Sequence, residues 1–212
     1  MTRFIIVRHG HSLSNKGGTL TGQIDSPLSE TGIEQAKLIC KFLKENYKID
    51  AIYSSDLSRA VDTVKYLGKD LGLQVITDKR FREIDCGIWQ GKTFDVLMQD
   101  KEYRFWNENM GTVQAIGGES FLDVQKRALN AIEDIYLKRK EQTVVIASHG
   151  GLIRTLQCHV AKEKIENLSS IPWVPNASTS VIIKDGNNYQ YELNGFCDYL
   201  GNLITKLSST LK

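Results

Sequence analysis

Phe4-Ile5-Ile6-Val7-Arg8-His9-Gly10 and Val144-Val145-Ile146-Ala147-Ser148-His149-Gly150 are built alike: an apolar, β-branched run that stops at a histidine followed by a glycine. Each reads as a buried strand ending in a polar loop. Placed side by side in one sheet, the two strands deliver His9 and His149 to the same edge, where ligands of open α/β sheets gather. The glycine after each histidine leaves room for backbone to approach a ligand. Arg8 precedes the first histidine, and Arg59 follows Ser54-Ser55-Asp56 closely enough to point into the same crevice. Two guanidiniums offer forked donors that match phosphate oxygens.

The intervening sequence alternates helix and strand signals. Ser29 is a candidate N-cap for a helix to Asn46, with Ile33, Ala36, Leu38, Ile39, Phe42 and Leu43 as its apolar stripe. Ile49–Tyr53 reads as a strand, Ser55–Leu71 as a helix and Leu73–Thr77 as a strand. Thr93–Asn109, rich in Phe94, Leu97, Met98, Tyr103, Phe105 and Trp106, reads as an apolar helical lid. Ser120 with Asp123 resembles a capping box opening a helix to about Lys140, and Leu152–Val160 forms another helix after the second His-Gly strand. Asp185-Gly186-Asn187-Asn188 between Thr179–Lys184 and Tyr189–Leu193 signals a hairpin. This order predicts an α/β three-layer sandwich: a mostly parallel sheet with helices on both faces, antiparallel strands from the hairpin at one edge, and a helical lid insertion. The 212 residues suit a single domain, 1–212.

Composition narrows the function classes. With 27 basic and 25 acidic side chains the net charge is +2, which supplies no bulk field for nucleic acid, so positive charge for an anionic ligand has to be local. Four cysteines (Cys40, Cys86, Cys158, Cys197) form no CxxC pair and read as reduced thiols. No apolar run reaches the length of a signal-peptide core or a membrane span, so the expected location is cytoplasmic, with no membrane partner.

Arg8-His9-Gly10-x-Ser12-x-x-Asn15, Gln23-Ile24-Asp25-Ser26-Pro27-Leu28, SSDLSRA at 54–60, REIDCGIWQG at 82–91, GGES at 117–120 and SHGG at 148–151 occur in order over nearly the whole chain. The ordered set resembles the histidine phosphatase superfamily. The resemblance implies that His9 is the nucleophile that becomes phosphorylated, that Arg8, Arg59 and His149 hold the equatorial oxygens, and that Glu83 is the proton donor. Ser12, Asn15, Gln23 and Gly150 are the substrate-binding residues it implies. Phosphoryl transfer depends on positioning and positive charge, so no metal and no cofactor is required. His9 and His11 spell HxH, but no acidic cluster at suitable spacing completes a metal site. His11 departs from the acidic or amide residue common at this place in the family, and two readings are open to it, a part in substrate choice or a solvent-facing side chain. Glu119 reads as structural. His9 has to be neutral to attack while His149 helps best when charged, so their environments should push the two pKa values apart, and a backbone carbonyl near one ring would fix its tautomer.

The interval from Glu83 to Glu119 is short compared with that of the family's mutases, which implies hydrolysis. The PNASTSV segment at Pro175–Val181 and FCDYLGNL at 196–203 resemble the branch of metal-independent phosphoserine phosphatases and broad-specificity phosphatases. The expected substrate is a small phosphorylated metabolite such as phosphoserine. Ribazole phosphatase, 2,3-bisphosphoglycerate-dependent phosphoglycerate mutase and a non-catalytic phospho-ligand binding module are the alternatives. Leu200, Leu203, Ile204 and Leu207 read as exposed apolar residues with two uses open to them, a homodimer contact or cover for the pocket.

Overall fold

The computed structural model describes residues 1–205. In chain order the elements are β1 (Thr2–Arg8), α1 (Leu13–Lys16), α2 (Glu30–Asn46), β2 (Ala51–Ser54), α3 (Ser58–Leu71), β3 (Val75–Thr77), α4 (Phe94–Leu97), α5 (Lys101–Glu108), α6 (Phe121–Lys138), β4 (Thr143–Ser148), α7 (Gly150–Val160), β5 (Thr179–Asp185) and β6 (Asn188–Phe196). The strands make one sheet in the order β3-β2-β4-β1-β5-β6. β1 to β4 pair in parallel where they touch, and the terminal hairpin adds β5 and β6 antiparallel, as the turn signal at 185–188 predicts.

Alternation along the strands sorts the core into two layers. Ile5, Val7, Ile52, Val145 and Ala147 face α2 and α3, where Ile39, Leu43, Ala60, Val64 and Leu67 complete one apolar cluster. Phe4, Ile6, Tyr53, Val144 and Ile146 face α6 and α7, with Val124, Ala128, Ile132, Leu152 and Leu156. This is the predicted sandwich. The register sets Arg8 opposite Ser148, so both His-Gly pairs leave the sheet at one level.

The helix boundaries follow their caps. Ser29 accepts from Gly32 N at the start of α2, and the Ser120–Asp123 capping box opens α6. The buried stripe of α2 runs through Gly32, Gln35, Ala36, Ile39, Cys40 and Leu43, which leaves Ile33 37% exposed rather than in the core. α3 begins at Ser58, three residues later than expected, because Ser55 and Asp56 stay in the loop and Asp56 pairs with Arg82 at 2.6 Å.

The expected 93–109 helix is two helices. Asp100 separates them: its carboxylate accepts from the backbone of Glu102 and Tyr103 to cap α5, and also from the Trp89 indole. Leu97, Tyr103 and Trp106 are buried against Trp89 and Phe121.

The C-terminal segment corrects a second expectation. Leu200 is only 2% exposed. Residues 198–203 lie against α2, where the Tyr199 ring stacks on Phe42 at 4.5 Å and Gln35 donates to the Leu203 carbonyl. Ile204 is exposed, and Leu207 lies outside the described residues. Among the described residues no helix is long and apolar enough to cross a membrane.

Candidate active site

Parallel pairing of β1 and β4 brings the His9 and His149 rings to a centroid distance of 5.1 Å. His9 Nδ1 lies 2.7 Å from the Gly10 carbonyl oxygen, an atom that only accepts. Nδ1 therefore carries the proton, and Nε2 keeps its lone pair. The expected carbonyl that fixes a tautomer is thus supplied by the neighbouring residue. The His9 carbonyl accepts from Ala177 N at 3.1 Å and from Asn176 Nδ2 at 3.1 Å. Ala177 holds a left-handed backbone (φ 53°), a conformation that costs a non-glycine residue about 1 kcal/mol and persists because the turn it makes is pinned to His9. Burial first, then the positive charges of Arg59 and Arg8, hold the His9 pKa well below the ordinary histidine value.

His149 has the opposite tautomer. Arg59 Nε–H donates to His149 Nδ1 at 3.2 Å, so Nδ1 accepts and Nε2 carries the proton. That Nε2 is buried without a partner. The expected separation of the two pKa values is not seen: burial, then Arg59 and His9, push the His149 pKa well below the ordinary value too. The two rings are separated by tautomer rather than by charge.

Arg8 and Arg59 are 5% and 1% exposed and, among the described residues, carry no carboxylate hydrogen bond. Arg8 Nη1 donates to the Val174 carbonyl at 2.6 Å, while its Nε is buried without a partner; burial lowers the Arg8 pKa to about 10. Arg59 is oriented by the carbonyls of Ile24 (3.0 Å) and Gly22 (2.8 Å). Two buried guanidiniums with donors to spare, beside a buried imidazole N–H, are suited to receive an anion.

Glu83 lies at the start of α7. Its carboxylate accepts from Gly151 N (3.0 Å), Leu152 N (3.2 Å) and its own neighbour Ile84 N (2.9 Å). A Cβ on Gly151 would stand 2.4 Å from Glu83 Oε1, so glycine is what lets the carboxylate reach the helix N-terminus. Arg127, which no pattern in its own neighbourhood marks, fixes this loop. Its guanidinium donates to the carbonyls of Arg80, Arg82 and Glu83 and to the Glu119 carboxylate. Glu119 is thereby structural, as expected.

The expected substrate-binding residues divide. Asn15 lines the pocket; its Oδ1 is taken by Ser12 N, Ser12 Oγ and Asn176 Nδ2, which leaves its amide N–H groups to face a ligand. Ser12 is buried as the N-cap of α1, and acts through Asn15. Gln23 turns to the Glu83 carbonyl, Glu119 and Arg82 instead of the pocket. Gly150 packs against Trp173 and the Arg8 guanidinium, where a Cβ would sit 3.0 to 3.1 Å from both. Gly10 likewise packs against Gly32. The glycines after the histidines admit neighbouring protein groups rather than ligand. His11 is half-buried, its Nδ1 2.9 Å from Ser29 Oγ, and among the described residues no cluster of His, Cys, Asp and Glu is arranged to hold a metal.

Arg8, His9, Asn15, Arg59 and Glu83 share the wall of one pocket open to solvent, and His149 lies fully buried behind it. Leu20, Ile84, Phe94, Trp106, Met110, Phe121 and Trp173 supply most of the remaining wall. Asn176 and Trp173 were not singled out from sequence; the PNASTSV segment was the one available signal for the former.

An α/β sheet that sets one histidine, two arginines and a helix-anchored glutamate in one pocket wall, with a second histidine buried behind the first, defines a phosphate-handling enzyme. A profile of the histidine phosphatase superfamily, branch 1, matches residues 4–195, and the chain belongs to that superfamily. It is a metal-independent phosphohydrolase. Phosphoserine phosphatase 1 of Hydrogenobacter thermophilus is 34% identical over 97% of this chain and 98% of its own length. The metal-independent phosphoserine phosphatase of Arabidopsis thaliana is 32% identical over 86% of this chain and 76% of its own. Among solved structures, mycobacterial glucosyl-3-phosphoglycerate phosphatase in complex with VO3 superposes with a TM-score of 0.85 at 31% identity, covering 92% of this chain and 99% of that one.

Proposed function

We propose that the protein hydrolyses a phosphomonoester in two displacements, with His9 Nε2 as the nucleophile. The observation that carries this reading is the bond from His9 Nδ1–H to the Gly10 carbonyl, which leaves Nε2 unprotonated beside two buried arginines. In the first step Nε2 attacks phosphorus as the bond to the leaving oxygen breaks. Arg8, Arg59, the His149 Nε2–H and the Asn15 amide neutralise and orient the phosphoryl oxygens. Glu83 protonates the departing alkoxide; in the second step it takes a proton from the water that attacks phosphohistidine and releases phosphate. Arrival of a dianion supplies the charge that the unliganded site lacks, and draws His149 toward its protonated form.

The neighbour solved with VO3 supports a phosphoryl-like ligand, and the names of the relatives support a small phosphorylated metabolite as substrate. Four unpaired cysteines fit a reducing, cytoplasmic setting. The test is phosphate release from p-nitrophenyl phosphate by the wild type and by His9→Ala, with a chelator present. Turnover in the wild type that falls at least about 1000-fold in the variant supports the reading; full turnover by His9→Ala, or a wild type silenced by chelator, refutes it.

A further inference from the structure

Resting on that reading, we infer that Asn176 is a positioning residue of the reaction: its one buried amide holds the backbone of the nucleophile and fixes which face of the Asn15 amide meets the phosphoryl group. Asn176 is 3% exposed and stands outside the pocket wall, so it acts through other residues. An asparagine amide attracts a phosphoryl oxygen with its NH2 and repels it with its carbonyl, so the orientation of Asn15 decides the sign of its contribution. The Asn15 amide atom 3.1 Å from Ser12 N has to be the oxygen, because a backbone N–H only donates. The Asn176 amide then turns its NH2 inward, because the two atoms facing that end, Asn15 Oδ1 at 3.3 Å and the His9 carbonyl oxygen at 3.1 Å, only accept. Its oxygen points the other way and accepts from Thr205 Oγ1 at 3.4 Å.

The segment that carries Asn176 is itself bound to the site. The Val174 carbonyl accepts from Arg8 Nη1 at 2.6 Å, the Ser178 carbonyl accepts from Arg8 N at 3.1 Å, and Ala177 N donates to the His9 carbonyl at 3.1 Å. From outside, the Tyr199 hydroxyl donates to the Ala177 carbonyl and holds the left-handed turn there. Asn176 is thus presented to His9 and Asn15 by a backbone that already grips Arg8. Removal of its amide leaves the His9 carbonyl with Ala177 N, whereas Asn15 Oδ1 keeps only its two bonds from Ser12. The loss therefore falls mainly on Asn15, the residue that faces the ligand.

The experiment is a double-mutant cycle on the full chain: wild type, Asn15→Ala, Asn176→Ala and the double variant. It reads kcat/KM for p-nitrophenyl phosphate and inhibition by inorganic phosphate, alongside thermal unfolding of each protein. Loss of one buried donor predicts a fall in kcat/KM of about 5- to 30-fold for Asn176→Ala in the wild-type background, with phosphate inhibition weakened in step. In the Asn15→Ala background the same change should cost no more than about 2-fold on either readout, because the group it orients is gone. Asn176→Leu keeps the volume without the donor; it should give the same pattern, and it takes the place of Asn176→Ala if that protein does not fold. Equal fold-losses in the two backgrounds, or full activity without the Asn176 amide, overturn the inference and leave the phosphatase reading standing. A wild type that releases no phosphate from p-nitrophenyl phosphate overturns the phosphatase reading itself, and the inference with it.

Discussion

Glu83→Gln separates two jobs that one carboxylate holds at once: anchoring the N-terminus of α7 and moving a proton. Glu83 Oε1 accepts from Ile84 N and Leu152 N, and Oε2 from Gly151 N. A glutamine keeps the first pair with its amide oxygen, but turns an NH2 toward the Gly151 N–H. Loss of one charge-assisted bond predicts a cost of about 2 kcal/mol, or a fall in Tm of about 4–8 °C for a chain of this size. The fold survives that. Chemistry does not, because the amide cannot protonate an alkoxide: kcat for an alkyl phosphate should fall about 100- to 10,000-fold. An aryl phosphate with an acidic phenol needs no such help in the first step and should lose far less from its phosphorylation rate. The assay is the pre-steady-state burst with p-nitrophenyl phosphate against turnover of ethyl phosphate, alongside thermal unfolding of both proteins. Equal losses on the two substrates would refute the proton-transfer role and leave Glu83 as a helix cap.

Other outcomes follow from the same geometry. His9 and His149 have folded pKa values held well below about 6.5, so the unfolded chain binds more protons as pH falls through that value, and stability drops toward the lowered folded values. Each ring contributes about 1.4 kcal/mol per pH unit in that window. Urea titrations at a series of pH values should therefore show a slope shallower by about that amount in His9→Gln; identical slopes would mean that His9 is not buried neutral. Arg127→Met takes the guanidinium from the Arg80 and Arg82 carbonyls and leaves the Glu83 carbonyl and the Glu119 carboxylate with Gln23 and Asp85 N alone, and should cost about 3 kcal/mol in urea unfolding and lower kcat as the Glu83 loop loosens. A stable, fully active variant would show that Arg127 does not position Glu83.

What the sequence disclosed is what local pattern encodes. The β-branched runs ending at His9 and His149 gave strands whose shared edge follows from parallel pairing, and Ser29 and Ser120 announced their helices through capping chemistry. Asp100 was hidden inside a segment that read as one continuous helix, where its capping of α5 depends on turn geometry that periodicity does not register. Leu200 read as exposed because residues 198–203 pack against α2, a helix far away in the chain. The two histidine pKa values were expected to lie apart for a related reason: sequence shows Arg59 as a phosphate ligand but not that its Nε–H occupies His149 Nδ1. Arg127 and Asn176 act on backbone carbonyls of distant segments, so nothing in their own neighbourhoods marks them.

The most direct test is a search for phosphate on His9 during turnover. The full chain is mixed with radiolabelled phosphomonoester, quenched in base, which preserves phosphohistidine, and the label is mapped to a peptide. The mechanism predicts label on the peptide bearing His9, formed at least as fast as phosphate appears, and none in His9→Ala. Phosphate release with no labelled protein, or label on a different residue, would contradict it.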